Sequence, residues 1–184
     1  PFKAAVDAGV STFMNAFNTV DEIPATGSAF LQRDILKGEW GFKGFVVSDW
    51  GSIGEMIPHG YARDGAHAAE IAANAGSDMD MESSLYVRKL NELVTSGKVD
   101  ISIVDDAVTR ILGVKYDLGL FEDPYKYCNQ EREKEIIGSK ENQEAVLDIA
   151  RKSIVLLKNE NQLLPLKKKN QTIAVIGQLA NDKN

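Results

Sequence analysis

The feature that most constrains the fold is an alternation of short segments suited to β-strands with helical patterns. It occurs three times: residues 10–17 with 29–36, 45–49 with 65–75, and 78–81 with 85–96. Such alternation is typical of a parallel sheet, in which each crossover helix carries the chain back to begin a neighbouring strand. Open doubly wound sheets and closed eight-stranded barrels both use this unit. Because a complete barrel needs about 250 residues, three units would be less than half of one.

Local signals predict where the helices begin and end. Ser28 and Asp64 are suited to cap the amino ends of the first two helices, and Gly76 is suited to end the second. Ser102 with Asp105 resembles a capping box in front of a further amphipathic helix. The first part of the chain is therefore predicted to be α/β.

The character of the sequence changes after Phe121. Residues 122–140 are polar, charged and weakly periodic, and this pattern predicts a linker. A helix is predicted next, with one common face: Val146, Ile149, Ala150, Ser153 and Leu157. We therefore divide the chain into residues 1–121 and residues 122–184.

The last part of the second region is predicted to begin a new sheet. Residues 156–164 suggest a small hairpin, and the β-branched run 172–176 suggests a strand. The dinucleotide fingerprint needs three glycines, and this strand is followed by Gly177 alone, so no cofactor site is predicted.

Composition excludes several classes of protein. The net charge is −6, and the only run of basic residues is Lys167–Lys169, so nucleic-acid binding is not expected. No apolar run approaches the roughly 20 residues of a membrane span. The single cysteine, Cys128, excludes an internal disulfide.

The chain begins without methionine or a signal-like segment, so both of its ends are expected to be internal to a longer protein.

Asp49 is the leading candidate for chemistry. It follows the apolar run Phe45–Val47, and catalytic residues of α/β folds lie at the carboxyl ends of strands. The alternative is that Asp49 only caps the following turn. Trp50 could stack on the apolar face of a sugar ring at the mouth of a cleft, or it could pack under the next loop.

Other candidates are more ambiguous. Met14 and Phe17 lie at the tip of the preceding strand, where they could wall the same cleft or belong to the core. Asp78 and Asp80 are spaced like a metal pair, but no His or Cys is near, so hydrogen bonding within the fold is favoured. The two histidines are eight residues apart, which is no metal motif, and no metal site is predicted.

Four segments together resemble glycoside hydrolase family 3, in its β-glucosidase branch. They are PFKAAVDAGV, KGEWGFKGFVVSDWGSI, AGSDMDM and ARKSIVLLKNENQLLPL, and the likeness runs in order through essentially the whole chain. The resemblance implies the carboxyl-terminal part of a (β/α)8 barrel, then a linker and the first elements of an α/β sandwich domain. It implies release of terminal β-D-glucose from oligosaccharides or aryl glucosides, without a cofactor.

The resemblance also implies residue roles. The block GFVVSDW matches the family's nucleophile signature, so Asp49 would attack the anomeric carbon, with net retention of configuration. Trp50 would form the aromatic wall beside the leaving-group sugar. Met14 and Phe17 would line the glucose pocket, although relatives often carry Tyr at the second position.

Other parts of the machinery are expected outside the chain. Residues that grip the sugar hydroxyls would precede Pro1, and the acid/base glutamate would follow Asn184. The isolated chain is therefore expected to be inactive, and to pair with the rest of its parent protein or with itself through open sheet edges. A periplasmic or secreted location is the family expectation.

Two other functions stay open at this stage. A lyase or aldolase would need a lysine at a strand tip, whereas the tips hold Phe17, Asp49 and Met81. A noncatalytic carbohydrate-binding remnant would have kept the pocket and lost the chemistry.

Overall fold

The computed structural model describes residues 1–182, and the chain divides into two compact units, residues 1–128 and residues 129–184. The regular elements of the first unit are α1 (Phe2–Asp7), β1 (Thr12–Met14), β2 (Thr19–Val20), β3 (Ile23–Pro24), a 3₁₀ turn (Ala25–Gly27), a π-helix (Phe30–Glu39), β4 (Phe45–Val47), α2 (Ser52–Glu55), α3 (Gly65–Ala75), α4 (Leu85–Thr95) and α5 (Ile101–Asp117). Those of the second unit are α6 (Gln130–Ile136), α7 (Lys140–Ser153) and a 3₁₀ turn (Glu160–Gln162).

The three predicted strand segments come together as parallel neighbours. β1 pairs with β4 in parallel, with Met14 opposite Val47, and Val47 forms a further parallel bridge with Met79. Gly44 permits the approach, because a Cβ there would lie 1.9 Å from the Ser11 carbonyl oxygen. The parallel arrangement is as predicted. The predicted bounds are wrong in each case: 10–17 forms a strand only over Thr12–Met14, 45–49 only over Phe45–Val47, and 78–81 forms a single bridge at Met79. Strand length depends on how many residues find a partner.

A small antiparallel hairpin, β2 with β3, was not predicted. Its two loop residues, Asp21 and Glu22, both have positive φ, at 50° and 67°. Two left-handed residues match the twist of a tight hairpin, where Asn-Gly or Asp-Gly is the usual signal. Asp21-Glu22 lacks the glycine, so the sequence carries no clear mark of this turn.

Most helix signals agree with the structure. The Asp64 side chain accepts a hydrogen bond from the His67 amide at the start of α3, and Gly76 ends that helix at φ 104°. The Ser28 hydroxyl accepts from the Leu31 amide at the start of the π-helix, but that helix ends at Glu39 and not at Leu36 as predicted.

The predicted capping box at Ser102 and Asp105 is wrong. Asp100 caps α5 instead, accepting from the Ser102 amide at 2.8 Å. Ser102 and Asp105 therefore lie inside the helix. An aspartate and a serine two residues apart can both serve as caps, and the extended backbone of Asp100 decides between them.

Two apolar clusters stabilise the first unit. The larger joins α2, α3 and α4, and its buried members are Ile53, Met56, Ala62, Ala68, Ala69, Ala72, Ala73, Leu85, Leu93 and Val99. Alanines on α3 allow the neighbouring elements to approach closely. The smaller cluster contains Leu36, Phe42 and Val46, and the Phe13 ring meets Phe42 edge-on at 5.0 Å. The second cluster packs directly behind the β1–β4 pair.

The second unit differs from its prediction. α6 lies inside the predicted linker 122–140. Among the described residues after α7, the regular structure is confined to the 3₁₀ turn, so neither the hairpin 156–164 nor the strand 172–176 forms. Strands need partners for their backbone groups, and a lone hairpin is marginal in water.

Across residues 1–182, no helix is both long enough and apolar enough to cross a bilayer.

Candidate functional site

The candidate site lies at the carboxyl ends of the three parallel segments. The amide of Asn15 donates to the Val47 carbonyl at 3.1 Å, and the amide of Ser48 donates to the Met79 carbonyl at 2.9 Å. The polar residues that follow the strands therefore begin from one common edge of the sheet. This is the edge where ligands bind in parallel α/β folds.

Asp49 lies two residues beyond β4, half-buried. Its Oδ1 accepts a hydrogen bond from the amide of Trp50 at 2.6 Å. Within the described part of the chain, its other carboxylate oxygen accepts no hydrogen bond. One oxygen is thus oriented by the backbone, and the second is available to a ligand.

The backbone carbonyl of Asp49 accepts two hydrogen bonds. One comes from the hydroxyl of Ser48 at 3.0 Å and the other from the amide of Ser52 at 3.1 Å. Gly51 between them has φ 69°, a conformation that favours glycine, and it allows the chain to turn directly into α2. The Asp49 side chain therefore projects from a tight turn whose backbone is fixed by hydrogen bonds.

The other predicted site residues lie near this edge but differ in exposure. Trp50 is 65% exposed and Met14 is 56% exposed, while Phe17 is half-buried. Met14 lines a cavity of about 350 Å³ beside β1, with Asn15, Ala16 and Trp40 among its walls. Asp49, Trp50 and Phe17 do not line that cavity. A common cleft for the four residues stays a prediction.

A buried polar network supports the site from below, and its members were not singled out from the sequence. They are Asn15, Thr26, Gln32, Ser52 and Ser77, all less than 9% exposed. Asn15 donates to the Ser77 hydroxyl at 2.8 Å and accepts from Thr26 at 2.9 Å, and the Thr26 hydroxyl lies 3.0 Å from that of Ser52. The available signal was Asn15, a polar residue between the apolar pairs Phe13-Met14 and Ala16-Phe17.

The loop after Met79 borders the turn that carries Asp49. Asp80 accepts hydrogen bonds from the amides of Leu85 and Tyr86 and from the Ser83 hydroxyl, so it caps α4. Glu82 and Ser84 have φ of 76° and 56°, which is unusual for residues with side chains. Strained backbone of this kind concentrates at functional sites.

Asp78 is used in the core. It pairs with Lys37 at 2.6 Å and accepts from the Val46 amide at 2.8 Å, and both side chains are almost fully buried. Burial lowers the pKa of Lys37, and the hydrogen bond and charge of Asp78 partly oppose that shift. Asp78 and Asp80 thus bind within the fold, as favoured from the sequence. Within residues 1–182, no three His, Cys, Asp or Glu side chains are grouped so as to hold a metal.

Three parallel segments with a carboxylate just beyond the middle one form the kind of sheet edge at which α/β enzymes bind their ligands, and sequence comparison makes the class specific. The glycosyl hydrolase family 3 N-terminal domain matches residues 1–114, and the C-terminal domain of the same family matches residues 154–184. The chain belongs to glycosyl hydrolase family 3.

Relatives and solved structures agree with this assignment. A periplasmic β-glucosidase of Salmonella typhimurium is 44% identical over 98% of this chain and 24% of its own length. A xylan 1,4-β-xylosidase of Xylanibacter ruminicola is 36% identical over 96% of this chain and 21% of its own. The crystal structure of a Listeria innocua β-glucosidase in complex with glucose is 43% identical, with a TM-score of 0.73 over 90% of this chain and 22% of its own. The chain therefore spans about a quarter of the length of these relatives.

Proposed function

We propose that this chain is the nucleophile-bearing part of a retaining β-glucosidase, and that Asp49 attacks the anomeric carbon. The observation that carries the proposal is the position of Asp49 beyond the central parallel strand, with one oxygen oriented by the Trp50 amide and the other unbonded within the described residues. A carboxylate held in this way can approach a sugar carbon without first breaking a strong contact. The covalent intermediate would then be hydrolysed by water.

The fold that we propose around it is the carboxyl-terminal part of a (β/α)8 barrel. The parallel register of β1 with β4 and of Val47 with Met79 supports this proposal, as does the likeness to family 3 enzymes. The region after residue 121 would lead into the second domain. The strands that complete the barrel, the residues that hold the sugar hydroxyls and the acid/base carboxylate would come from the rest of a longer enzyme.

The sugar that we propose is a terminal β-D-glucose. The relative with 44% identity is named a β-glucosidase, and a mutant of the Listeria innocua enzyme is described in complex with laminaribiose. Xylose is the second candidate, because relatives at 36% and 35% identity are named β-xylosidases. Rates on aryl glucoside and aryl xyloside would separate the two.

A periplasmic or secreted location is proposed from the relative that is named periplasmic.

The proposal is tested on the complete enzyme with a 2-fluoro-glucoside that carries a dinitrophenolate leaving group. The fluorine slows hydrolysis of the glycosyl-enzyme, so peptide mapping should find the label on Asp49. Asp49→Asn keeps the shape and removes the nucleophile, and turnover should fall by about 1,000-fold or more while the fold persists. Label on a different carboxylate would refute the role of Asp49. A well-folded enzyme with no label and no turnover would favour the carbohydrate-binding remnant.

A further inference from the structure

Ser48 is the most deeply buried polar residue beside Asp49. It is 0% exposed, and its backbone amide donates to the Met79 carbonyl at 2.9 Å. Its hydroxyl accepts from the Met81 amide at 2.8 Å and donates to the Asp49 carbonyl at 3.0 Å. Donor and acceptor capacity are therefore both used, and both bonds join the Asp49 turn to the neighbouring segment.

The segment that Ser48 reaches is itself tightly held. The Met81 carbonyl accepts from the Gly51 amide at 2.8 Å, so Met81 contacts the turn on both sides of Asp49. The next residues are anchored by Asp80, which caps α4, and they include the left-handed Glu82 and Ser84. A rigid loop of this kind is a suitable support for a carboxylate that must keep one position.

The other side of the turn has a matching support. Ser52 donates its amide to the Asp49 carbonyl at 3.1 Å, and its own side chain is buried against Thr26. Because that carbonyl accepts from both serines, loss of the Ser48 hydroxyl would leave the Ser52 amide as the remaining donor to it. The Met81 amide would also lose its acceptor, although the position of α2 would be kept.

We propose that Ser48 is a positioning residue for Asp49, because its hydroxyl couples the Asp49 carbonyl to the Met81 amide. The inference rests on the proposed role of Asp49 as nucleophile. Without the hydroxyl, the turn gains freedom and the carboxylate spends less time in line with the anomeric carbon. Misplacement by about 1 Å costs on the order of 100-fold in rate.

The test isolates the nucleophilic step in the complete enzyme. With the dinitrophenyl 2-fluoro-glucoside, an Asp49 oxygen forms a bond to the anomeric carbon while dinitrophenolate departs with the bonding pair, so no acid is needed. The inactivation rate constant and the saturation constant are measured separately. For Ser48→Ala we expect the rate constant to fall about 10- to 100-fold, with the saturation constant changed by less than about twofold.

Two further variants make the result specific. Ser48→Cys keeps the shape with a weaker donor and acceptor, and its rate constant should lie between those of the wild type and Ser48→Ala. Ser28→Ala removes another buried hydroxyl, which is 5% exposed and accepts a hydrogen bond from the Leu31 amide outside the site. It should lower the melting temperature and leave the inactivation rate constant unchanged.

The possible outcomes separate the two proposals. Label on Asp49 together with a wild-type rate constant in Ser48→Ala would overturn the positioning role and leave the nucleophile intact. Label on another carboxylate in the wild type would instead remove the proposed function. If Ser48→Ala does not fold, Ser48→Cys decides, and an unchanged rate constant there contradicts the inference.

Discussion

At the scale of single residues, the neighbours Asp49 and Trp50 differ in how far the protein fixes their side chains. Asp49 is tied by its carbonyl and by one carboxylate oxygen, whereas the Trp50 side chain is 65% exposed. An exposed indole contributes little to the core of this unit, and its contact with a bound sugar stays a prediction. That difference makes Trp50 testable without loss of the fold.

Trp50→Ala in the complete enzyme should lower kcat/KM for disaccharide substrates more than for aryl glucosides that lack a second sugar. Loss of stacking should lower kcat/KM for the disaccharide about tenfold, equivalent to about 1.4 kcal/mol. Tyr116→Ala is the matched control, since Tyr116 is also exposed, at 66%, but lies on α5. Equal losses on both substrates would mean that Trp50 supports structure.

At the scale of elements, the buried pair of Lys37 and Asp78 joins the π-helix to the sheet. Lys37 also donates to the Gly76 carbonyl at 2.9 Å, where α3 ends. One ammonium group thus meets the carbonyl that ends α3 and the carboxylate two residues further along the same segment. Pairs of this kind contribute little net stability when intact, but removal of one partner leaves a buried charge.

Lys37→Met should therefore lower the free energy of unfolding by about 3–5 kcal/mol, measured by urea denaturation. Adding Asp78→Asn should recover part of that loss, because it neutralises the stranded carboxylate and keeps an acceptor for the Val46 amide. Lys89→Met is the control, since its pair with Glu92 is exposed and 4.0 Å long. A loss no larger than that of the control would show that Asp78 does not remain charged and buried.

The carboxylates that cap α3 and α5 make the stability of the fold depend on pH. The hydrogen bond from the His67 amide lowers the pKa of Asp64, and the bonds from Ser102 lower that of Asp100, both from an ordinary value of 3.8. A carboxyl whose folded pKa is depressed stabilises the fold above its unfolded value. That contribution is lost as pH falls through the folded pKa.

The melting temperature of Asp64→Ala should therefore lie below that of the wild type at neutral pH, and the gap should close as pH falls below 3.8. Asp64→Asn keeps an acceptor for the His67 amide but does not titrate. It should keep most of the stability at neutral pH and lack the acid-dependent part. A gap between wild type and Asp64→Ala that persists unchanged in acid would contradict the assignment.

At the scale of the whole molecule, the described units leave much apolar surface uncovered. β1 pairs with β4 along one edge, and the predicted apolar face is exposed within α7, with Val146 at 66% and Ile149 at 63%. Leu157, which was predicted on the same face, lies beyond the end of α7 at Ser153. Exposed strand edges and apolar patches are sites of association. We propose that the remainder of a longer enzyme, or a second copy, covers them.

The isolated 184 residues should accordingly be inactive on aryl glucosides and self-associated. Proton assistance to the leaving group, worth about 100- to 10,000-fold, would be missing. Light scattering after size-exclusion chromatography, with a parallel assay, tests both statements. Thr12→Lys places a charge on the exposed β1 edge and should reduce association. A well-folded monomer that turns over substrate would contradict the proposal.

The sequence by itself determined the features that depend on neighbouring residues. The bounds of α3 were predicted to the residue, because Asp64 and Gly76 act within one helical turn of the ends that they define. The strand at Phe45–Val47 also followed from its apolar run, although it was predicted to continue to Asp49, which lies two residues beyond its end. Helical hydrogen bonds join residues four apart, so a local pattern contains the partners that it needs.

Only the tertiary structure decided the features whose partners are distant in sequence. The hydroxyl of Ser48 gains its role from Met81, 33 residues away, and Asn15 gains its role from Ser77, 62 residues away. Strand lengths, and the absence of the predicted strand 172–176 from the described residues, follow the same rule. A strand or a buried hydroxyl is stable only when another segment satisfies its polar groups, and the tertiary fold determines which segment that is.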